Sequence, residues 1–197
     1  MRYWYDTEFN EDGSTIDLLS IGIVAEDGRE YYAVNADADW PRVLQNDWLM
    51  ENVAPSLPGV FGPPERNETG GWDWGLATCV PMVKSKATIR DEVTAFIRPG
   101  SRPRNPMLPV RAGSTPELWA WFGAYDHVAL AQLFGRMVDM PPWIPMFTND
   151  LRQEQHRLGN PPLPAQPTGL HNALADARFN RVRHEALTKL ARTHITV

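Results

Sequence analysis

Three apolar segments separated by two turn-forming clusters occupy the first 35 residues and restrict how this chain can fold. The first segment contains Tyr3, Trp4, Tyr5 and Phe9, and the others are Ile16–Val24 and Tyr31–Val34. The clusters between them are Glu11–Ser14 and Glu26–Arg29. Aromatic and β-branched residues favour strands, and short clusters that contain Asp-Gly favour tight turns between antiparallel neighbours. We therefore predict an antiparallel three-stranded meander at the start of the chain.

Helical and strand-like patterns alternate after the meander. They are a helical pattern at 40–52, a helix with the apolar stripe Ile89, Val93, Phe96 and Ile97, an inner strand at Leu118–Phe122, a helix at 126–137, and a helix capped by Asn172 that runs to about residue 191. This order predicts an α/β fold with a mixed sheet, in which parallel strands join the antiparallel meander and helices flank both faces.

A segment rich in Pro, Gly and Trp interrupts the pattern at about 54–83. Its Pro and Gly residues exclude a long helix or an inner strand, and its length exceeds that of ordinary connections. We predict that it is an insertion, called the 54–83 insertion below, within a single domain that spans residues 1–197. Trp72 and Trp74 are expected to pack the insertion against the body of the domain.

The composition, with 43% hydrophobic and 22% charged residues, is that of a globular protein and not of a disordered or disulfide-rich chain. A formal net charge of −5 argues against binding nucleic acid by bulk electrostatics. The N-terminus lacks the pattern of a signal peptide, and no segment approaches the ~20 apolar residues of a membrane span. Together with a single cysteine, Cys79, these features predict a cytoplasmic protein without a membrane partner.

Two acidic residues end the first predicted strand. Asp6 and Glu8 are two positions apart, so both carboxylates leave the same face, and Thr7 points the other way. Such a pair is often only part of a solvated surface. Because Tyr3–Tyr5 is apolar, however, these acids lie at the end of a core strand, where unpaired carboxylates are costly unless a metal neutralises them.

Two further acids and a histidine lie near predicted helix starts. Asp126 begins a helix and faces inward with its apolar stripe, and Asp176 lies near the start of the last helix. Either acid could simply complement the helix dipole. If Asn172 caps the last helix, His171 lies in the entering loop, where it can lean over the carboxylates as a general base.

The four acids and the histidine follow a pattern along the chain that resembles the DEDD superfamily of 3′-to-5′ exonucleases. The resemblance is to its histidine subgroup, which has the ribonuclease-H-like fold. The resemblance rests on Asp6-Thr7-Glu8-Phe9, Tyr125-Asp126-His127 and His171-Asn172-Ala173-Leu174-Ala175-Asp176. More closely, YDTEF, the stretch LWAWFGAYDHVAL and HNALADAR are similar to the actinobacterial exoribonuclease AS family. The resemblance covers most of the chain in outline, and we expect it to leave out the 54–83 insertion.

The resemblance implies a set of site residues and a reaction. Asp6, Glu8, Asp126 and Asp176 would hold two Mg²⁺ ions, or Mn²⁺, and His171 would take the proton from the attacking water. Asp6 would bridge the two ions, and Asp126 would contact one of them partly through water. Thr7 and Phe9 are candidate substrate-binding residues. Phe9 lies beside the acids, where its ring could stack on the terminal base or equally belong to the core. The implied substrate is single-stranded, adenylate-rich RNA, the products are nucleoside 5′-monophosphates, and a homodimer is implied.

Two other functions fit the same motifs. A 3′-to-5′ exonuclease acting on single-stranded DNA is one, because the discrimination of RNA depends on contacts to a 2′-hydroxyl that no motif displays. A non-catalytic RNA-binding scaffold on the same fold is the other, although a binding module has no need for the acidic cluster. The function of two sets of basic residues is also open, since they could contact phosphates or only form a solvated surface. They are Arg98, Arg102, Arg104 and Arg111 in a connector, and Arg178, Arg181, Arg183, Lys189 and Arg192 in the last helix.

Overall fold

A six-stranded mixed sheet lies at the centre of the structure, a computed structural model that describes residues 1–98 and 115–194. The strands are β1 (Arg2–Glu11), β2 (Ile16–Ala25), β3 (Glu30–Asn35), β4 (Glu65–Arg66), β5 (Trp72–Asp73), β6 (Val83–Lys84), β7 (Glu117–Ala120) and β8 (Asn149–Asp150). The sheet order is β6-β3-β2-β1-β7-β8, and β4 pairs with β5 as a separate hairpin. Strands β1, β2 and β3 pair in antiparallel fashion, whereas β6, β7 and β8 each pair with a parallel neighbour. The predicted meander and mixed sheet are confirmed.

Helices lie on both faces of this sheet. They are α1 (Trp40–Val43), α2 (Asp47–Asn52), α3 (Lys86–Ile97), α4 (Ala124–Gln132), α5 (Leu151–Arg157) and α6 (Ala173–His194), with 3₁₀ turns at Ala54–Ser56 and Met137–Asp139. Helices α3 and α4 pack against the face that carries Tyr3 and Tyr5, and α6 packs against the opposite face, which carries Trp4. The architecture is the ribonuclease-H-like one that we predicted. Within the described residues, no helix combines the length and apolar character needed to cross a membrane.

Helix α6 is fixed to the sheet by one side of its surface. Its buried residues recur every three or four positions: Ala173, Ala177, Asn180, His184 and Leu187. The Asn180 amide Nδ2 donates to the carbonyl of Tyr5 at 3.0 Å, and Trp4 Nε1 donates to His184 Nδ1 at 2.9 Å. Asn172 accepts a hydrogen bond from the Ala175 amide at 3.0 Å, which confirms the predicted cap. These contacts fix the start of α6 over β1.

Two elements are shorter than predicted. Strand β7 ends at Ala120 because Phe122 adopts a left-handed backbone with φ +55°, which strand geometry does not allow. Helix α4 runs from Ala124 to Gln132, not from 126 to 137, and Gly135 at φ +88° turns the chain after it. Leu133 from the predicted apolar stripe is nevertheless buried.

The 54–83 insertion contains more structure than its composition indicates. It includes a 3₁₀ turn, the β4–β5 hairpin and the start of the edge strand β6. Trp74 is buried against Leu49 and Met50 of α2, and Trp72 Nε1 donates to Asp47 at 3.0 Å, which confirms that both tryptophans pack the insertion onto the body. Arg102, Arg104 and Arg111 of the basic connector lie outside the described residues.

Candidate active site

Three carboxylates meet where β1 passes beneath the start of α6. Asp6, Glu8 and Asp176 each offer an oxygen that lies within 4.8 Å of those of the other two. Asp6 and Glu8 share one face of β1 because they are two residues apart, and Asp176 lies in the first turn of α6. Glu8 is buried, and the other two are half-buried. The structure thus brings together three of the four acids that we predicted to bind metal.

The close approach of α6 to the sheet depends on Gly22. This residue lies opposite Asp6 in the β1–β2 pairing, and a Cβ atom at Gly22 would lie 2.3 Å from the carbonyl oxygen of Ala173. The obstacle is backbone, which cannot move aside as the end of a flexible side chain can, so only glycine fits. Gly22 therefore sets how near Asp176 comes to the carboxylates of β1.

Asp126 approaches β1 from the other face of the sheet and is held by Thr7. Its Oδ1 accepts hydrogen bonds from the Thr7 backbone N–H at 2.8 Å and from the Thr7 hydroxyl at 2.7 Å. Both residues are buried, and Asp126 does not belong to the group of three clustered carboxylates. The predicted contact of Thr7 with substrate stays a prediction, because the hydroxyl is directed to Asp126 in this structure.

His171 lies in the loop before α6, as predicted, and its backbone is in the left-handed region with φ +59°. This conformation costs roughly 1–2 kcal/mol for a residue with a Cβ, so the surroundings must hold it. The carbonyl of His171 accepts a hydrogen bond from the Ser56 hydroxyl at 2.7 Å, and the Trp48 ring meets the imidazole edge-on with 5.0 Å between centroids. Neither Ser56 nor Trp48 was predicted as a site residue.

The carboxylates share an environment that raises their pKa values. Burial raises the pKa of Glu8 to about 8, and the charges of Asp176 and Asp126 add to that effect. Burial, followed by the neighbouring acids, raises the pKa of Asp6 well above its usual value, and burial also raises the pKa of Asp176. The pKa of Asp126 is raised by burial to about 6, an increase that hydrogen bonds from Thr7 limit. Ionising all of these buried carboxylates costs free energy unless a cation compensates their charge.

Arg183 places a positive charge near this acidic group. It follows Asp176 by seven residues, or about two helical turns, and its guanidinium lies over the rings of Trp121 at 4.5 Å and Phe179 at 4.8 Å. Its charge opposes the rise in the pKa of Asp6 and Asp176. From sequence it was only one of several basic residues, and the signal that could have found it is its helical spacing from Asp176.

The other basic residues of α6 have different partners. Arg178 forms an ion pair with Glu30 at 2.7 Å, and Arg181 forms one with Glu185 at 2.9 Å. Exposed pairs of this kind contribute little to stability and leave the arginines on the solvated surface. Among Arg178, Arg181 and Arg183, Arg183 is the one whose charge acts on the carboxylates of Asp6 and Asp176.

An aromatic pair lies beside the acids. Phe9, predicted to stack on substrate, follows an irregularity in the β1–β2 register between Glu8 and Phe9. Its ring stacks on Tyr125 with 5.9 Å between centroids and 12° between planes. Tyr125 is 52% exposed. The sequence indicated it only as the residue before Asp126 in a motif, and not as a site residue. A parallel aromatic pair at the site edge offers the kind of surface on which a nucleic-acid base can stack.

The donor set of this site fits a hard divalent cation. All three clustered ligands are carboxylate oxygens, which Mg²⁺ and Mn²⁺ prefer. Their burial and mutual repulsion, seen in the raised pKa values of Asp6 and Glu8, would be relieved by a cation at their centre. The three clustered carboxylates therefore form a group that can hold a hard divalent cation, and they present no sulfur or nitrogen that would favour a softer ion.

Comparison with known proteins identifies relatives of this chain. No protein-family model matches the chain. Two proteins of Mycobacterium tuberculosis match it with 42% identity over 188 residues, which is 95% of this chain and 94% of each relative. They are the 3′-5′ exoribonuclease MT2234.1 of strain CDC 1551 / Oshkosh and the 3′-5′ exoribonuclease Rv2179c of strain ATCC 25618 / H37Rv. This chain belongs to their exoribonuclease family.

The family relationship also bears on the 54–83 insertion, which we expected the resemblance to leave out. The match with the mycobacterial exoribonucleases covers 188 of the 197 residues, so about nine residues of this chain lie outside it. The insertion is much longer than that, and most of it therefore lies within the span shared with the exoribonuclease family.

Proposed function

We propose that this protein is a metal-dependent 3′-5′ exoribonuclease that removes nucleoside 5′-monophosphates one at a time from the 3′ end of single-stranded RNA. The observation that carries the proposal is the approach of Asp6, Glu8 and Asp176 to within 4.8 Å beside the loop that carries His171. The names of the two relatives support the direction of hydrolysis and the RNA substrate. Adenylate-rich RNA, a homodimer and a cytoplasmic location stay predictions, as does the single domain at 1–197.

We assign Asp6, Glu8, Asp126 and Asp176 as the residues that hold two divalent cations, Mg²⁺ or Mn²⁺. When bound, these ions would supply Lewis-acid activation of water and stabilise the leaving 3′ oxygen. Asp6, Glu8 and Asp176, whose oxygens lie within 4.8 Å of one another, would be the direct ligands. Asp126 lies outside this group and is hydrogen-bonded to Thr7, which suits a ligand that acts partly through water.

His171 acts as the general base in this mechanism. Its imidazole accepts a proton from the attacking water, whose oxygen forms the new bond to phosphorus as the bond from phosphorus to the preceding 3′ oxygen breaks. The phosphate therefore stays on the 5′ oxygen of the departing nucleotide, and the product is a 5′-monophosphate. Phe9, stacked on Tyr125, provides the surface for the terminal base.

The activity is tested with single-stranded RNA that carries a label at its 5′ end. With Mg²⁺ we expect a ladder that shortens from the 3′ end and releases 5′-monophosphates, and with a chelator in excess over the metal we expect no shortening. A DNA oligomer of the same sequence, digested in parallel, tests the alternative of a DNA exonuclease. Equal or faster digestion of the DNA would contradict the RNA assignment.

The scaffold alternative is tested by metal binding alone. Calorimetric titration with Mn²⁺ should detect binding to the wild-type protein and strongly weakened binding to Asp6→Asn, because one central carboxylate is lost. A wild-type protein that bound RNA but neither Mn²⁺ nor Mg²⁺ would favour the non-catalytic scaffold.

A further inference from the structure

One peptide bond connects the two functional parts of the loop before α6. The carbonyl oxygen of the His171–Asn172 peptide accepts a hydrogen bond from the Ser56 hydroxyl at 2.7 Å. The N–H of the same peptide, on Asn172, donates to Oδ2 of Asp176 at 3.1 Å and, less closely, to the carbonyl of Gly169 at 3.3 Å. Because a peptide bond is planar, its C=O and N–H cannot rotate independently, so the two contacts fix one plane.

The strained backbone of His171 makes this plane sensitive to its partners. With φ at +59°, His171 has a conformation that a residue with a Cβ rarely adopts without external contacts. Loss of the contact at the carbonyl would allow His171 to relax toward a more common φ by rotation about its N–Cα bond. That rotation would turn the His171 side chain and carry the Asn172 N–H away from Asp176.

The donor of this contact is held by a rigid part of the fold that is distant in sequence. Ser56 is 115 residues away from His171 and closes the 3₁₀ turn Ala54–Ser56, where its N–H donates to the carbonyl of Val53 at 2.9 Å. Ala54 and Leu57, on either side, are buried in the hydrophobic cluster beneath the 54–83 insertion. The backbone that carries Ser56 is therefore anchored to the core on both sides, which fixes the position of its hydroxyl relative to the loop.

Helix α2 supports the same loop from its other side. Trp48 meets the imidazole of His171 edge-on, although 54% of the Trp48 side chain is exposed. The insertion packs against α2, because Trp74 is buried in the same hydrophobic cluster as Leu49 and Met50, and Arg66 of the hairpin lies 3.1 Å from the carboxylate of Asp47. The insertion is thus connected to His171 in two ways. Ser56 contacts the backbone of His171, and Trp48 of α2 contacts its imidazole.

We propose that Ser56 is a positioning residue that orients the general base and a metal ligand together, through the single peptide His171–Asn172. The proposal rests on the proposed function, in which His171 takes the proton and Asp176 binds metal. It gives the 54–83 insertion a defined part in the reaction, because the 3₁₀ turn at its start carries the hydroxyl. Ser56 itself does not contact the reacting atoms.

The test compares two replacements of nearly equal shape, Ser56→Thr, which keeps the hydroxyl, and Ser56→Val, which removes it. We expect Ser56→Val to lower kcat by roughly tenfold with KM changed less than about twofold, since the loss of one part-buried hydrogen bond to the loop affects the transition state more than substrate binding. Calorimetry should show Mn²⁺ affinity several-fold weaker in Ser56→Val. Ser56→Thr should retain kcat and Mn²⁺ affinity close to the wild-type values.

Ser56→Ala provides a second variant without the hydroxyl that adds no bulk, and Ser14→Ala, in the exposed β1–β2 turn, is the matched control. Wild-type kcat and Mn²⁺ affinity in both Ser56→Val and Ser56→Ala would overturn the inference. So would a Ser56→Thr variant as impaired as Ser56→Val, which would indicate a purely steric role. His171→Ala distinguishes failure of the proposed function from failure of this inference. Full activity in His171→Ala would contradict the proposed function itself. An inactive His171→Ala, together with wild-type kcat and Mn²⁺ affinity in Ser56→Ala, would contradict only this inference.

Discussion

The carboxylate of Asp126 differs from the three clustered acids in the hydrogen bonds that it accepts and in its pKa. It is buried, yet the backbone N–H and the hydroxyl of Thr7 both donate to its Oδ1, at 2.8 and 2.7 Å. These donors favour the charged form, so burial raises the pKa of Asp126 only to about 6, whereas the pKa of Glu8, for which no such donors limit the rise, reaches about 8. Asp126 thus loses its proton at a lower pH than Glu8 does before any metal binds.

Replacement of Thr7 by valine should disturb this acid specifically. Thr7→Val keeps the shape and the backbone donor but loses the hydroxyl, so the pKa of Asp126 should rise above about 6 and kcat at pH 7 should fall by roughly fivefold to tenfold. The activity of the variant should recover partly as the pH is raised, which a pH series of RNA hydrolysis would measure.

The matched control for this variant is Thr78→Val, at an exposed position of the insertion. A Thr7→Val enzyme with the wild-type rate and pH dependence would show that the hydroxyl does not support Asp126. An equal loss in Thr78→Val would point to a general effect of the substitution.

Residue spacing predicted some of this site and could not predict the rest. The shared face of Asp6 and Glu8 follows from the two-residue period of a strand, and the loop position of His171 follows from the cap at Asn172. The contact between Ser56 and His171 joins positions 115 residues apart, and no local pattern indicates such a pair. Long-range contacts of this kind are decided by the packing of whole elements.

At the scale of elements, predictions succeeded where a periodic pattern was long and failed where an element was short. The ten-residue strands β1 and β2 and the helices α3 and α6 were predicted, because each has an apolar pattern of several repeats. Strands β4, β5, β6 and β8 have two residues each and depend on partners that only the folded chain supplies. The early ends of β7 and α4 reflect local backbone geometry that hydrophobic spacing does not report.

The position of α6 over the sheet can be tested at Gly22. Gly22→Ala would place a Cβ against the Ala173 backbone, at 2.3 Å in the present geometry, so α6 must move outward. We expect a destabilisation of about 1–3 kcal/mol and a large loss of RNA hydrolysis, because Asp176 moves away from Asp6. Thermal unfolding and the RNA assay measure the two effects.

Gly75→Ala is the control for this substitution, since an added Cβ there would make only an ordinary contact, 3.8 Å from Val60. It should retain both stability and activity. If Gly22→Ala kept full activity with unchanged Mn²⁺ affinity, the spacing between α6 and β1 would not be what assembles the site.

At the scale of the whole molecule, the acids of the site should make the metal-depleted protein sensitive to alkaline pH. Glu8 has a pKa of about 8 in the folded state against 4.5 ordinarily, so the folded protein keeps a proton that the unfolded chain has released. Stability from this group is fully present below pH 4.5 and is lost as the pH rises through 8. The window from pH 6.5 to 8 is the informative one, because it lies between the ordinary and the folded-state pKa of Glu8, and burial lowers the pKa values of His127 and His184 away from it.

In the presence of a chelator, we therefore expect Tm to fall by roughly 5 °C between pH 6.5 and 8, at about 1.4 kcal/mol per pH unit for one retained proton. The slope should be smaller in Glu8→Gln, whose amide does not titrate, and saturating Mn²⁺ should raise Tm more at pH 8 than at pH 6.5. Differential scanning fluorimetry over this range measures all three. A Tm that rises with pH under chelation, or an unchanged slope in Glu8→Gln, would contradict the assignment of these pKa shifts.

The net charge of −5 disfavours bulk attraction of RNA, and the proposed mechanism does not require it. Bound metal ions would supply positive charge at the cluster of Asp6, Glu8 and Asp176, where the phosphate must bind. Substrate affinity should then depend more on divalent metal than on a basic surface, in contrast to proteins that follow phosphates with many arginines.

The most direct test of this account is the rate at which 5′-labelled RNA shortens in Mg²⁺ for the wild-type protein, Asp6→Asn and His171→Ala, each shown to be folded by circular dichroism. Both substitutions should lower the rate by at least about a hundredfold, because one removes a central metal ligand and the other removes the base. A folded Asp6→Asn or His171→Ala protein that kept more than about a tenth of the wild-type rate would contradict the assignment of the site.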